Sequence, residues 1–231
     1  MILHVTRHGQ VDLATDHPVG DSSLSTLGRE QAGRLGEKLK EEGFSGSIFS
    51  SPYLRTVETA QIIADVVGGR VIPAPAMREY VIREDQVDAF RGATAKQLKE
   101  LYSRVEDWAA MDYPWWTSEV ESPEDIEARV APLVDETSAG ETDALLVGHG
   151  ASIAGVHRYI LNARAPEISD QGKHGWNCVL SSFKFGSTFE VVRFLETDHL
   201  PEKLVTSNAK SRAEVLKEEA GGGEYLKWRR R

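Results

Sequence analysis

Apolar positions in this chain follow two alternating rhythms, short uninterrupted runs and longer stretches at helical spacing. Ile2 to Thr6 is an apolar run that stops at Arg7-His8-Gly9, which predicts a buried strand ending in a loop. From Leu24 to Glu42, Leu27, Ala32, Leu35 and Leu39 fall on one helical face, with Ser25 or Thr26 placed to cap the start and Gly43 to end it. Ser47 to Ser50 predicts a second strand, followed by Ser51-Pro52 and a helix from Leu54 to Val67; Arg70 to Pro73 suggests a third strand. Pro123, acceptable in a first turn, opens a helix to about Ser138. Asp143 to Val147 predicts a strand closing at Gly148-His149-Gly150, and Ser152 to Leu161 another helix. Val179 to Phe185 and Phe189 to Leu195 pair as a hairpin around Gly186-Ser187.

Strands alternating with helices specify an α/β class, a three-layer α/β/α arrangement on a mostly parallel central sheet, with antiparallel character added by the last hairpin. Between 74 and 122 the rhythm breaks around Pro75, Pro114 and the aromatics Trp108, Tyr113, Trp115 and Trp116. That stretch reads as an insertion whose aromatics pack its core, or as a lid. The expected organisation is a single domain over 1–206, carrying the insertion or lid at about 74–122, and a polar C-terminal tail over 207–231 that is solvated or a loosely docked helix.

Composition narrows the partners. Acidic residues outnumber basic ones by 36 to 27, for a net charge of -9, which argues against nucleic acid or an anionic membrane as the main partner. A small-anion pocket needs only a few focused cations and stays open. The lone Cys178 rules out an intrachain disulfide and a multi-cysteine metal site, and its apolar neighbours mark it as a small buried residue. No apolar run approaches the ~20 residues of a membrane span, and the N-terminus lacks the basic and apolar regions of a signal peptide, so a cytoplasmic address is expected.

In α/β sheets, ligands gather beyond the carboxyl ends of strands. Three of the predicted strands deliver reactive side chains to that edge: the first Arg7 and His8, the second, through Ser51-Pro52, Arg55, and the fourth His149. Each histidine precedes a glycine, which lets backbone approach closely. Two arginines and two histidines on one rim suit a phosphoryl group. Guanidinium donors match its oxygens, and a neutral imidazole nitrogen can attack phosphorus to form a covalent intermediate. A proton donor for the leaving oxygen is still needed, and a carboxyl of raised pKa would serve.

Four segments carry a family resemblance. Leu3-His4-Val5-Thr6-Arg7-His8-Gly9-Gln10, Leu24-Ser25-Thr26-Leu27-Gly28-Arg29-Glu30-Gln31-Ala32, Ser50-Ser51-Pro52-Tyr53-Leu54-Arg55-Thr56-Val57-Glu58-Thr59-Ala60 and Leu145-Leu146-Val147-Gly148-His149-Gly150 together resemble, in order, the histidine phosphatase (phosphoglycerate mutase-like) superfamily. The resemblance implies His8 as nucleophile, with Arg7, Arg55 and His149 binding the transferred phosphate and His149 also catalytic; Gln10 and Ser22 or Ser23 line the pocket more loosely. It also implies an acidic proton donor after the third strand, where Glu79 fits best, with Glu84 and Asp85 as rivals. The other histidines, His4, His17, His157, His174 and His199, are expected to be structural.

Two departures bear on activity. Tyr80-Val81-Ile82-Arg83 does not match the Arg-His-Tyr-Gly-type segment that follows the acidic residue in mutases. Phe90-Arg91-Gly92 has Arg91 where many phosphatases carry glutamate, so Arg91 faces a second anionic group or solvent. Other phosphate chemistries fail on spacing. Lys184 stands where a cysteine phosphatase needs arginine, Glu167 where a nucleotide-binding loop before Gly172-Lys173 needs glycine, and Ala154 where a nucleophile elbow needs glycine. The histidines lack the close pairs of zinc ligands. The expectation is a metal-independent phosphomonoesterase, without cofactor, acting on a small phosphorylated molecule; the alternatives are a phosphoglycerate mutase-type phosphotransferase and a phospho-ligand binding module.

Overall fold

Six strands form the central sheet of the computed structural model, which describes residues 1–12, 21–81, 84, 91–106, 115–116, 119–168, 174–208 and 210–220. In chain order the elements are β1 (Ile2–Arg7), α1 (Thr26–Glu41), β2 (Ser47–Ser50), α2 (Leu54–Val67), β3 (Val71–Pro73), α3 (Ala95–Leu101), α4 (Pro123–Ser138), β4 (Ala144–Gly148), α5 (Gly150–Arg164), β5 (Leu180–Lys184), β6 (Glu190–Glu196), the short strands β7 (Thr206–Ser207) and β8 (Lys210–Ser211), and α6 (Arg212–Ala220). The sheet runs β3-β2-β4-β1-β5-β6, with β1 to β4 parallel and β5 antiparallel to both neighbours. Helices pack as the pairs α1–α2 and α4–α5. This is the three-layer, mostly parallel α/β fold expected from the sequence.

Local chemistry explains the element starts. Ser25 caps α1 by accepting the Gly28 N–H at 3.1 Å. Ser122 and Asp125 form a reciprocal capping box on α4, with Pro123 in the first turn. Helix α2 has no capping side chain at Tyr53, its own first flanking residue. Its Leu54 N–H is taken instead by the carboxylate of Asp21, far away in sequence. At the end of α2, Gly68 adopts a left-handed φ of 84°.

Register sets the site. Arg7 pairs with Gly148 and Ser50 with Val147, so the chain leaves β1, β4 and β2 at one level and at one edge. Because β5 runs antiparallel beside β1, its beginning also lies there, with Asn177 and Cys178 behind His8. Cys178 is buried, as read from its neighbours.

The stretch 74–122 holds more order than its sequence rhythm suggested. A single 3-10 turn, Pro75–Met77, follows β3, and Thr94 with Gln97 boxes the start of α3. Trp115 is buried edge-on against Tyr53 and donates its indole N–H to the Ala93 carbonyl at 2.9 Å. A Cβ on Gly92 would come within 2.0 Å of the Trp115 ring, so glycine is required there. Trp115 is thus core packing, and Trp116 leans edge-on against it; Trp108 and Tyr113 lie outside the described residues.

Candidate active site

His8 follows β1, and its backbone is tied on both sides. Its N–H donates to the Gly148 carbonyl at 3.0 Å and its carbonyl accepts from Asn177 Nδ2 at 3.0 Å. Gly9 allows the chain to pass against α1: a Cβ there would stand 2.5 Å from the Gly28 carbonyl oxygen, and one on Gly28 would meet Gln10 backbone at 2.1 Å. The two glycines therefore require each other through close packing.

The His8 ring is oriented through Nδ1, 2.7 Å from the Gly9 carbonyl oxygen. A carbonyl only accepts, so Nδ1 carries the proton and Nε2 holds a lone pair in the neutral ring. Burial, reinforced by the charges of Arg7 and Arg55, lowers the His8 pKa well below 6.5 despite the opposing Gly9 bond. The ring is therefore neutral, with an unprotonated Nε2 of the kind that can attack phosphorus.

The His149 ring lies 5.3 Å from that of His8, centroid to centroid, and is fully buried. Ser51 Oγ holds its Nε2 at 2.8 Å, while the Tyr53 ring packs edge-on against it. Burial first, then the fields of Arg55, His8 and Arg7, lower its pKa as well.

Arg55 stands in the first turn of α2, bonded to Asp21 Oδ1 at 2.7 Å, with its guanidinium 4.8 Å from the Tyr53 ring centre. Asp21 is completely buried, so one carboxylate fixes both the start of α2 and this cation. Arg7 is held by the Gly175 carbonyl (2.9 Å), Ser207 Oγ (3.2 Å) and Asn208 Oδ1 (2.6 Å). Asn208 reaches it from a left-handed turn, φ 54°, between β7 and β8. The stretch read as a polar tail thus begins at the site, and Val215 buries α6 against the core.

Glu79 leaves the loop after β3 and brings Oε2 to 3.6 Å from His149 Nδ1, while Oε1 accepts the Tyr80 N–H at 3.1 Å. Burial raises its pKa from the usual 4.5, against the opposing pull of Arg55 and the Tyr80 bond. Glu84 is exposed, and Asp85 lies outside the described residues. The amide of Gln10 turns toward Ser25 Oγ at 3.5 Å. Ser22 and Ser23 are half-buried, and Arg91 stands at an exposed position beside Gly92.

The structure therefore brings Arg7, His8, Arg55, His149 and Glu79 to one edge. It adds Asp21, Ser51, Asn177, Ser207 and Asn208, which the sequence reading missed. A mostly buried chain of bonds runs from Gln10 to Asn177. Gln31 accepts from the Gln10 N–H at 2.8 Å and donates to Thr206 Oγ1 at 2.9 Å, and Thr206 meets Asn177 Oδ1 at 3.3 Å. Spacing could not expose these partners, because each lies between 34 and 201 residues from the side chain or backbone it holds. His4 and His157 are buried structural rings; burial lowers them to about 4 and about 3. Among the described residues no group of three His, Cys, Asp or Glu side chains could hold a metal ion. No described helix is long and apolar enough to cross a membrane.

These shifts set a pH profile for kcat/KM. With His8 as the expected nucleophile, which attacks only when neutral, its lowered pKa moves the acid limb below 6.5. With Glu79 as the expected proton donor, which acts only when protonated, its raised pKa moves the basic limb above 4.5. We expect a bell-shaped profile once the substrate's own second ionisation, about 6, is divided out. An acid limb at or above the ordinary imidazole value would contradict the geometry.

Comparison with known proteins gives a consistent result. A family model described as histidine phosphatase superfamily (branch 1) matches residues 3–197. The glucosyl-3-phosphoglycerate phosphatase of Mycobacterium tuberculosis (strain ATCC 25618 / H37Rv) is 29% identical over 213 residues, covering 83% of this chain and 91% of that protein. A probable phosphoglycerate mutase GpmB of Enterobacter sp. (strain 638) is 27% identical over 191 residues, covering 79% and 84%. The crystal structure of the ecdysone phosphate phosphatase from Bombix mori, in complex with tungstate, superposes with a TM-score of 0.67 at 18% identity, covering 93% of this chain and 99% of that one. At that identity the superposition bears on the fold.

Proposed function

Since the chain belongs to the histidine phosphatase superfamily, branch 1, we propose that it is a metal-independent phosphomonoesterase that works on a small phosphorylated molecule through a phosphohistidine at His8. The observation that carries this reading is the orientation of the His8 ring. With Nδ1–H on the Gly9 carbonyl, Nε2 is the available nucleophile in a pocket that also holds Arg7, Arg55 and His149. Nε2 attacks phosphorus, the bond to the ester oxygen breaks, and protonated Glu79 gives that oxygen its proton, releasing an alcohol. The resulting Glu79 carboxylate then takes a proton from water as the hydroxyl attacks phosphorus. The phosphorus–nitrogen bond breaks, inorganic phosphate leaves, and both side chains return to their starting states. Arg7 and Arg55 match the equatorial oxygens on which charge spreads. His149, neutral and held by Ser51, completes the pocket.

A mutase reading draws on the similarity to a protein named as a probable phosphoglycerate mutase. The unmatched segment after Glu79 weighs toward the hydrolase. Phosphate release from a panel of phosphomonoesters, including 3-phosphoglycerate and glucosyl-3-phosphoglycerate, separates the two when isomerisation is followed in the same reactions. Release without isomerisation is expected, and EDTA should leave the rate unchanged. Isomerisation without net release would make the protein a mutase, and EDTA inhibition reversed by zinc would bring in a metal. Enzyme in the cytosolic fraction of its native cell would accord with the cytoplasmic address.

A further inference from the structure

Glu79 lies on a loop, yet proton donation to a leaving oxygen demands a fixed carboxyl. The bonds that fix this loop come from α4 and the residues leading into it. Arg129 Nη1 donates to the carbonyls of Ala76 (2.5 Å) and Arg78 (3.2 Å), just before Glu79. The Glu121 N–H donates to the Val81 carbonyl at 3.2 Å, just after it. The Glu121 carboxylate closes the clamp, accepting from Arg129 Nε at 2.6 Å, Arg129 Nη2 at 3.2 Å and Arg78 Nη2 at 2.9 Å. Arg129 and Glu121 are 10% and 9% exposed at their side chains.

A nearly buried Arg–Glu–Arg cluster is a costly way to stabilise a fold, because desolvation offsets most of the attraction. Its donors end on backbone carbonyls that flank one carboxyl in sequence, and that is the arrangement a positioning device requires. We propose that Arg129 and Glu121 are positioning residues that hold Glu79 where it can protonate the leaving oxygen. The inference rests on reading Glu79 as the proton donor.

A leaving group that departs without a proton separates positioning from general support. The burst of leaving-group release would be measured for an alkyl phosphate and for 4-nitrophenyl phosphate, whose phenol leaves as an anion. Wild type, Arg129→Met, Glu121→Gln and Glu79→Gln would be compared, with the nitrophenol burst amplitude counting folded active sites. Removing an outer partner of a reacting group typically costs 10–100-fold. Arg129→Met and Glu121→Gln should lose about that much on the alkyl phosphate and less than about threefold on 4-nitrophenyl phosphate. Inhibition by inorganic phosphate should be nearly unchanged, since Arg7 and Arg55 stand on β1 and α2.

Equal losses on both substrates, or no loss on either, would overturn the proposal. Should Arg129→Met fail to fold, Glu121→Gln, which preserves shape, decides the matter by the same criterion. Glu79→Gln keeps the two readings apart. If it shows no leaving-group dependence, the proton-donor assignment fails; if it does and the clamp variants do not, only the positioning inference fails.

Discussion

His8→Ala is expected to lower kcat/KM by on the order of 10⁴-fold or more and to abolish covalent labelling by a radioactive phosphomonoester. The size follows from what is lost. No other described group near the pocket combines a neutral nitrogen lone pair with the orientation that the Gly9 carbonyl imposes on Nε2. The neighbouring His149 ring is engaged through Nε2 with Ser51, so it does not substitute. The fold should survive, because the His8 ring bonds to the carbonyl of the adjacent Gly9 while the loop is held by backbone contacts to Gly148 and Asn177. Rapid-quench labelling and circular dichroism on the same preparations check both halves. Labelled wild type and unlabelled variant mark the enzyme; wild-type protein that binds phosphate but never labels would mark a binding module. An active, labelled His8→Ala would sink the mechanism.

Arg55→Ala should produce the second largest loss, about 10³-fold in kcat/KM, or roughly 4 kcal/mol of transition-state stabilisation. This residue also has a structural partner, so rate and stability must be separated. Truncation takes the cation from the fully buried Asp21 carboxylate, which should cost on the order of 3 kcal/mol in folding stability. Asp21→Asn removes the buried charge while keeping an oxygen for the Leu54 N–H. The double variant Asp21→Asn/Arg55→Ala should therefore regain much of the melting temperature lost by Arg55→Ala and none of the activity. Thermal unfolding and steady-state kinetics on the three proteins test this. Recovery of both together would reduce Arg55 to a structural role, and a rate within about tenfold of wild type would remove it from the phosphate site.

Much of the architecture was open to sequence reasoning because its causes are local. The apolar runs before Arg7 and before Gly148 predicted strands, and Leu27, Ala32, Leu35 and Leu39 predicted the buried face of α1. The rule that ligands gather at strand ends then placed Arg7, His8, Arg55 and His149 on one rim. Helix α3 escaped because it is short and mostly polar, with Leu98 as its buried residue. Cap chemistry at Thr94 and Gln97 was the signal that could have revealed it. Docking of α6 escaped for a similar reason, since Val215 is the buried residue among the described side chains of a helix otherwise rich in charge.

By itself, then, the sequence determined the strand and helix rhythm and the family, and it raised the expectation of phosphoryl chemistry at two histidines and two arginines. Those features depend on side-chain type and on periods of two or 3.6 residues, which any chain carries openly. Only the tertiary structure decided which carboxyl faces His149, which nitrogen of His8 keeps its lone pair, and that Asp21, Asn177, Ser207 and Asn208 hold Arg55, Arg7 and the His8 backbone. The His8 orientation comes from the adjacent Gly9 carbonyl, while the long-range contacts depend on strand order and register. The parallel pairing of β2, β4 and β1, with antiparallel β5 beside them, brings distant segments to one edge of the sheet. Nothing in the linear spacing of those segments encodes that meeting.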